Sequence, residues 1–545
     1  MNSPTGTSPT GPALQDARAE DEHSDMQELI DTLKETVRRG SVVTDDQERA
    51  FFAQDVFTRA LPAGVVVAPA SMEELSAVVR AATRAGHAVV TRGGGMSYTS
   101  GYVPAEEGSV MIDMARMSRL IELNREDMYV KVEAGMSWKA LHEALEGTGL
   151  TTPYWGTLSG LHATVGGGMS QNSIFWGSGR HGSAADSVIG LQVVLADGTV
   201  ITTGSAAQVN ARPFFRHFGP DLTGLFTGDC GAFGVKATVT LRLVPDLPGK
   251  AFGSWAFEDY AGMARAMSEI SRRGLATECF GFDPYLQQQR MRRESLTKDA
   301  TQFMGMLKNA GGIGKAVKDG VKVAAAGRRF MDDVKWSFHA LASERDDRVA
   351  QGCIDEADAI VRDAGGRSLP NSIPRLLSAH PFGNVNNMLG PDGERWVPVH
   401  GLVPHSQVVP VMDRVEALFA EHGEAMERLE VRHGYLLATV STNCFVIEPV
   451  FFWPDELFEM HRRYVEAEHL ARLPKREPNL PARELVTALK QGLADLFRES
   501  GAVHLQVARA YHYHDGLKEA PLALAKAIKG IVDPGGRMNP GALGL

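Results

Sequence analysis

A chain of 545 residues is longer than one hydrophobic core usually supports, so at least two domains are expected. With 43% hydrophobic and 22% charged residues the composition is that of a globular protein, and a formal net charge of -10 argues against a nucleic-acid binder. Four scattered cysteines (Cys230, Cys279, Cys353 and Cys444) lack zinc-type spacing and fit a reducing compartment. The absence of an apolar leader or a bilayer-length apolar run makes a cytoplasmic protein, with peripheral membrane contact at most, the expectation.

Residues 1–25, rich in Ser, Thr, Pro, Gly and acid, read as a disordered tail. Residues 26–59 read as a helical arm, with Leu29, Leu33 and Val37 at helical spacing. Val65-Val66-Val67 predicts a short buried strand. Ser71 with Glu74 predicts a capping box opening a helix that carries Leu75, Val78, Val79 and Ala82 on one face. Ala88 to Thr91 predicts a second strand, which runs into the glycine run Arg92-Gly93-Gly94-Gly95-Met96-Ser97. Strands at Val110–Ile112 and Tyr129–Val132 and a helix from Ser137 to about Leu145 precede a second run, Thr164-Val165-Gly166-Gly167-Gly168-Met169-Ser170. Asp197-Gly198 between two apolar stretches predicts a hairpin, and Thr238 to Leu243 an alternating strand. Pro245, Pro248 and Gly249 mark a boundary, after which longer helices and scattered aromatics predict a second α+β domain. The turn-rich close, Asp533 to Gly541, is expected to pack back onto an earlier domain.

Glycines after a strand let the backbone approach a ligand, and successive amides can converge on a phosphate oxygen. Ser97 and Ser170 add hydroxyls and Arg92 a charge. Neither run matches Gly-x-Gly-x-x-Gly opening a helix, and no Gly-Lys-Ser/Thr occurs, which disfavours a nicotinamide-type or triphosphatase site. Each run alone is as compatible with a tight turn; the two together favour a cradle for a diphosphate.

Residues 60 to 245 resemble the FAD domain of the vanillyl-alcohol oxidase and para-cresol methylhydroxylase (PCMH) superfamily, which also contains D-lactate dehydrogenases and the glycolate oxidase FAD subunit. The matching segments are Pro69-Ala70-Ser71, the two glycine runs, Val132-Glu133-Ala134-Gly135, His181-Gly182, Asp197-Gly198, Phe218 to Gly228, and Asp533 to Gly541. The resemblance implies an α+β fold: a two-subdomain, PCMH-type FAD-binding domain (60–249), an α+β cap (250–500) and a closing segment (501–545) that returns to the first domain. It implies cofactor contacts from Arg92, Gly93, Gly94, Gly95, Met96, Ser97, Thr164, Gly166, Gly167, Gly168, Ser170, Gly182, Gly228, Gly234 and Asn539. The first run lacks the histidine that tethers flavin in some relatives, so non-covalent FAD is expected, with a link through the cap left open.

Hydride removal from a small organic molecule follows as the expected activity, leaning to a para-substituted phenol or aromatic alcohol. Oxygen or a redox partner such as a cytochrome would reoxidise the flavin; a homodimer is compatible with this. Tyr98 resembles a phenolate-binding tyrosine, and Arg509 an arginine that holds phenolate or carboxylate. Tyr511 and His512 complete the expected catalytic set, with His504, His514, His400, Asn443 and Glu448 as further polar groups of interest. The alternatives are a 2-hydroxy-acid dehydrogenase, in which Arg509 grips the carboxylate, and a flavin-binding electron-transfer subunit. No metal is expected, because the histidine-rich element of the hydroxy-acid branch is missing. The aspartate base of the phenol branch is also missing from Tyr154 to Leu161, and Cys230 is expected to pack beside the flavin. The basic stretch Lys308 to Arg329 reads as a solvated helix of the cap.

Overall fold

The computed structural model describes residues 12–38, 41–287 and 334–545, so the basic stretch Lys308 to Arg329 lies outside the described residues. The arm is two helices. α1 (Pro12–Thr36) starts well before Met26, inside the stretch expected to be a tail, and α2 (Asp46–Phe52) restarts after β1 (Val42–Val43). The break is local: Asp45 accepts from the amides of Gln47 and Glu48 and caps a new helix. Leu29, Leu33 and Val37 are buried, on the spacing that predicted them.

The first layer is a mixed sheet in the order β1-β2-β4-β3, from β2 (Val65–Val67), β3 (Val89–Arg92) and β4 (Val110–Asp113). β2, β3 and β4 are parallel, and α3 (Met72–Arg84) makes the crossover, burying Leu75, Val78, Val79 and Ala82. Ser71 caps α3 by accepting from Glu74 N at 3.2 Å, while Glu74 reaches back to Ala70 N at 2.8 Å. A second, antiparallel sheet comprises β5 (Leu120–Asn124), β6 (Tyr129–Glu133), β7 (Val188–Val194), β8 (Val200–Thr202) and β9 (Val235–Arg242), in the order β5-β6-β9-β7-β8. Asp197-Gly198 turns between β7 and β8, with Gly198 at φ 84°. α4 (Trp138–Leu145) and α5 (Val165–Gln171) pack beside this sheet.

The cap is one large sheet. Its strands are β10 (Gly249–Phe257), β11 (Glu278–Phe282), β12 (Trp336–Glu344), β13 (Arg367–Ser368), β14 (Arg395–Pro398), β15 (Gly401–Val403), β16 (Arg432–Val440) and β17 (Cys444–Trp453). They run in the order β13-β10-β12-β11-β16-β17-β14, with β15 also on β17. One face carries the helices α6 (Tyr260–Arg272), α7 (Asp347–Asp363), α8 (Val408–Glu421) and α9 (Leu480–Glu499). The other face looks toward the glycine runs. After α10 (Glu519–Val532) the chain returns to the first sheet, where Val89 N donates to Arg537 O at 2.7 Å and Asn539 N to Val89 O at 2.8 Å. Among the described residues no helix is long and apolar enough to cross a membrane.

Arg395, fully buried on β14, joins arm to cap. Its Nη2 donates to the carbonyls of Val56 and Phe57 at 3.0 and 3.1 Å, and its guanidinium lies 3.8 Å from the centroid of Phe458. Burial depresses it to about 9, partly offset by Asp455 at 3.8 Å, which Arg483 also grips at 2.5 Å. Asp455→Asn leaves the Arg395 cation uncompensated. The expected loss is about 3 kcal/mol, read from denaturant midpoints. Arg348→Ala, which removes a 96%-exposed side chain, should change stability by less than about 0.5 kcal/mol.

Candidate active site

The first glycine run leaves β3 as an open loop, and the backbone N–H groups of Gly94, Gly95, Met96 and Ser97 donate to no protein acceptor among the described residues. The second run behaves differently. Sequence pattern predicted a loop, but residues 165–171 are the short helix α5, capped by Thr164, whose Oγ1 accepts from Gly167 N at 3.1 Å. Its amides are engaged within the protein: Gly166 N on Ala134 O and Gly168 N on Thr164 O. The first run packs against the second and its lead-in: an added Cβ would lie 2.3 Å from Thr164 Oγ1 at Gly93 and 1.8 Å from His162 O at Gly94. Gly95 takes φ 72° directly over the Arg92 guanidinium. Four free amides beside a backbone-to-backbone contact form a nest suited to an anionic oxygen, and the diphosphate of FAD fits that donor set. FAD bound there would be held by Gly94 to Ser97, with α5 as the facing wall.

A cavity of about 270 Å³ extends from these runs to the cap sheet. Gly93, Gly94, Gly95, Met96, Ser97 and Tyr98 line it, as do Thr164, Gly166, Gly167, Gly168, Ser170 and Gly234. The cap contributes Glu278 and Phe280 from β11, Trp396 from β14, Leu436, Ala438 and Val440 from β16, and Val446 and Glu448 from β17. Tyr98 stands at one end, its ring edge-on to Trp396 at 5.7 Å, and its hydroxyl accepts from Gln506 Nε2 at 3.2 Å. Burial, reinforced by Glu448, holds that phenol well above its usual range, so it stays protonated. Because Gln506 supplies the hydrogen bond to its oxygen, the Tyr98 proton is available for the cavity. Glu278, at the other end, accepts from Gly177 N, and burial raises its carboxyl well above the ordinary range. Lys236 lines the cavity but is paired at 2.5 Å with Asp229, both buried. Cys230 lines it too; burial pushes its thiol up to about 12, and its sulfur accepts from Ala508 N at 3.2 Å, a packing role.

Seven of the residues expected at the site lie elsewhere. Arg92 turns away from the cavity: Nη2 donates to Tyr464 OH at 2.9 Å, and Phe51, Phe52 and Tyr102 surround the guanidinium. Arg509 is enclosed by acceptors, donating to the carbonyls of Ser100, Val103 and Pro540 and to Asn539 Oδ1, which leaves no face for a substrate anion. Asn539 itself donates to Gly101 O at 2.7 Å and Cys230 O at 2.6 Å and so fastens the chain rather than a ligand. Tyr511 is behind the wall, accepting from His400 N at 2.9 Å and stacked on His504 at 4.1 Å. Burial depresses His400 to about 3 and His504 to about 4. His512 pairs with Asp495 at 2.7 Å and His514 with Asp515, both away from the cavity. Gly182 and Asn443 belong to a neighbouring cleft, and Gly228 takes φ 69° in a turn whose amide donates to Met169 O.

Sequence reasoning missed Glu278, Trp396, Gln506 and Lys236. They come from segments far apart in the chain, and no local pattern marks which of them face inward. Among the described residues no group of three or more His, Cys, Asp and Glu side chains could hold a metal ion.

Residues 63–204 match the FAD binding domain family. The mitochondrial D-lactate dehydrogenase [cytochrome] of Arabidopsis thaliana is 38% identical over 219 residues, 40% of this chain and 37% of that protein. The glycolate oxidase subunit GlcD of Bacillus subtilis is 29% identical over 205 residues, 38% of this chain and 42% of that one. The chain thus spans less than half the length of these curated relatives. The fold as a whole is similar to p-cresol methylhydroxylase, with a TM-score of 0.72 at 16% identity, covering 96% of this chain and 97% of that one. It is also similar to 4-ethylphenol oxidase from Gulosibacter chungangensis, with a TM-score of 0.70 at 18% identity and the same coverage. The chain therefore carries an FAD binding domain over residues 63–204 and shares the fold of these two solved structures.

Gly94→Ala forces the two runs apart and should yield protein with less than about a tenth of the wild-type flavin, by the ratio of 450 to 280 nm absorbance. Gly352→Ala, in α7 with open space around it, should retain flavin and gain about 1 kcal/mol of stability.

Proposed function

We propose that this chain is an FAD-dependent oxidoreductase of the vanillyl-alcohol oxidase and PCMH superfamily that takes hydride from a small uncharged organic molecule, an aromatic alcohol or a para-substituted phenol in its neutral form. The observation that carries this is the make-up of the wall. Among the described residues lining the cavity there is no arginine or histidine, and the one lysine is held by Asp229. An arriving carboxylate or phenolate would lose its hydration with no compensating cation, and would face the carboxyl-bearing Glu448. Phe175, Phe280, Trp396, Leu436 and Val446 instead offer apolar and aromatic surface.

Tyr98 gives the substrate hydroxyl a hydrogen bond, with its own oxygen fixed by Gln506. Glu448, at the same end of the cavity, is the group to receive the hydroxyl proton as the C–H bond is broken. FAD supplies the hydride acceptor. The aromatic surround excludes water from that end. The name of the Arabidopsis relative points to a cytochrome as one acceptor for the electrons, oxygen being the other.

The following measurements test this. Acid precipitation should release FAD into the supernatant. Anaerobically, vanillyl alcohol should bleach the flavin and D-lactate should not; bleaching by D-lactate alone overturns the substrate class. Tyr98→Phe should lower kcat/KM about 10- to 100-fold, and Glu448→Gln should slow flavin reduction about 100-fold or more, both with normal flavin content. Chelators should leave the rate unchanged.

A further inference from the structure

Beside the main cavity lies a second cleft of about 360 Å³, at the seam where the first domain, the cap and the closing segment meet. Its floor is apolar, with Leu402, Leu505 and Cys444; its rim carries His181, Ser183, Asp186, Ser441 and Asn443. The two cavities have two lining residues in common, Ile174 and Val440. We propose that this cleft is the entrance through which small uncharged molecules reach the flavin site, with Ile174 and Val440 as the constriction that sets their size. The proposal rests on the flavin site but not on the substrate class assigned above.

Three further observations support it. The turn between β16 and β17 that forms the outer lip is fastened rather than loose. Ser441 N donates to Ser178 O at 2.9 Å, Ser271 Oγ to Ser441 O at 2.8 Å, and His405 Nε2 meets Thr442 O at 3.1 Å. A lip held on three sides keeps a fixed mouth. Second, the rim has no standing positive charge: burial lowers His181 to about 4, and the Asp186 carboxylate accepts from Ser183 N at 2.7 Å and Ser183 Oγ at 2.9 Å. Anions are therefore disfavoured at the mouth as they are inside. Third, both shared residues are aliphatic and contribute no polar atom that could detain an uncharged solute; Val440 is 8% exposed.

Cys444 permits a direct test, because it lines the outer cleft and not the flavin cavity. Cys230 and Cys279 are buried, so a Cys353→Ser background leaves it the accessible thiol. The readout is reoxidation of dithionite-reduced flavin by duroquinone, an uncharged oxidant that takes two electrons and two protons to become the hydroquinone. Labelling Cys444 with benzyl methanethiosulfonate should lower the second-order rate constant at least 5-fold, and the methyl reagent less than 2-fold. Reductive removal of the label should restore the rate, and Cys444→Ser should be insensitive. Acrylamide quenching of the flavin should fall in parallel, and in unlabelled protein iodide should quench less than acrylamide. If the thiol resists the reagent, Asn443→Trp narrows the same mouth and should slow duroquinone equally. Complete labelling by mass, or a flavin-replete Asn443→Trp protein, with unchanged rates overturns the entrance. Neither readout uses the natural substrate, so a failed alcohol panel would count against the proposed function alone.

Discussion

Arg509 and Asn539 form the knot on which the cavity depends. A half-buried guanidinium is satisfied here on every side, by Ser100 and Val103 after the first glycine run, and by Asn539 and Pro540 at the end of the chain. Asn539 then reaches Gly101 and Cys230 with its amide. Segments more than four hundred residues apart are fixed by one cation and one amide, each losing its partners together if either is removed. Lys529 repeats the device nearby, donating to Ala232 O, Met538 O and Asp533. Without these ties the first run would have no fixed position relative to the wall it faces.

A consequence is a sorting of charge. The buried cations Arg92, Arg395 and Lys529, and the half-buried Arg509, are surrounded by carbonyls, carboxylates and aromatic faces that belong to the framework. The chamber is lined by the first glycine run and, next in the chain, by the protonated phenol of Tyr98. The donors open to an anion are thus the loop amides, while the one lysine lining the cavity among the described residues is paired with Asp229.

Much of this was legible in the sequence, for identifiable reasons. The α3 helix followed from Ser71, Glu74 and an apolar stripe, since capping and periodicity act within a few residues. The first glycine run followed from its strand. The second was misjudged as a loop because glycine disfavours helix, while the Thr164 cap and packing around Gly166 and Gly168 override that preference. Arg92, Arg509 and His512 were misplaced for a different reason: position in a chain says that a long side chain is near a site, and not which way it turns. Glu278 and Glu448 left only a weak trace, since facing inward from a strand is decided by register with partners elsewhere in the sequence.

The strands β16 and β17 have two jobs divided by parity except at Thr439, which also lines the cavity. Tyr435, Leu437, Phe445 and Ile447 sit in the helix-covered core, whereas Leu436, Ala438, Val446 and Glu448 face the cavity. Replacing a residue on one face leaves the packing on the other nearly untouched, so scaffold and chamber can change independently. Such a roof lets a lineage exchange one substrate for another by alternate-residue substitutions, with the cofactor cradle and the fold inherited intact. Diversification of this protein's descendants is therefore expected to be written in steps of two along these strands.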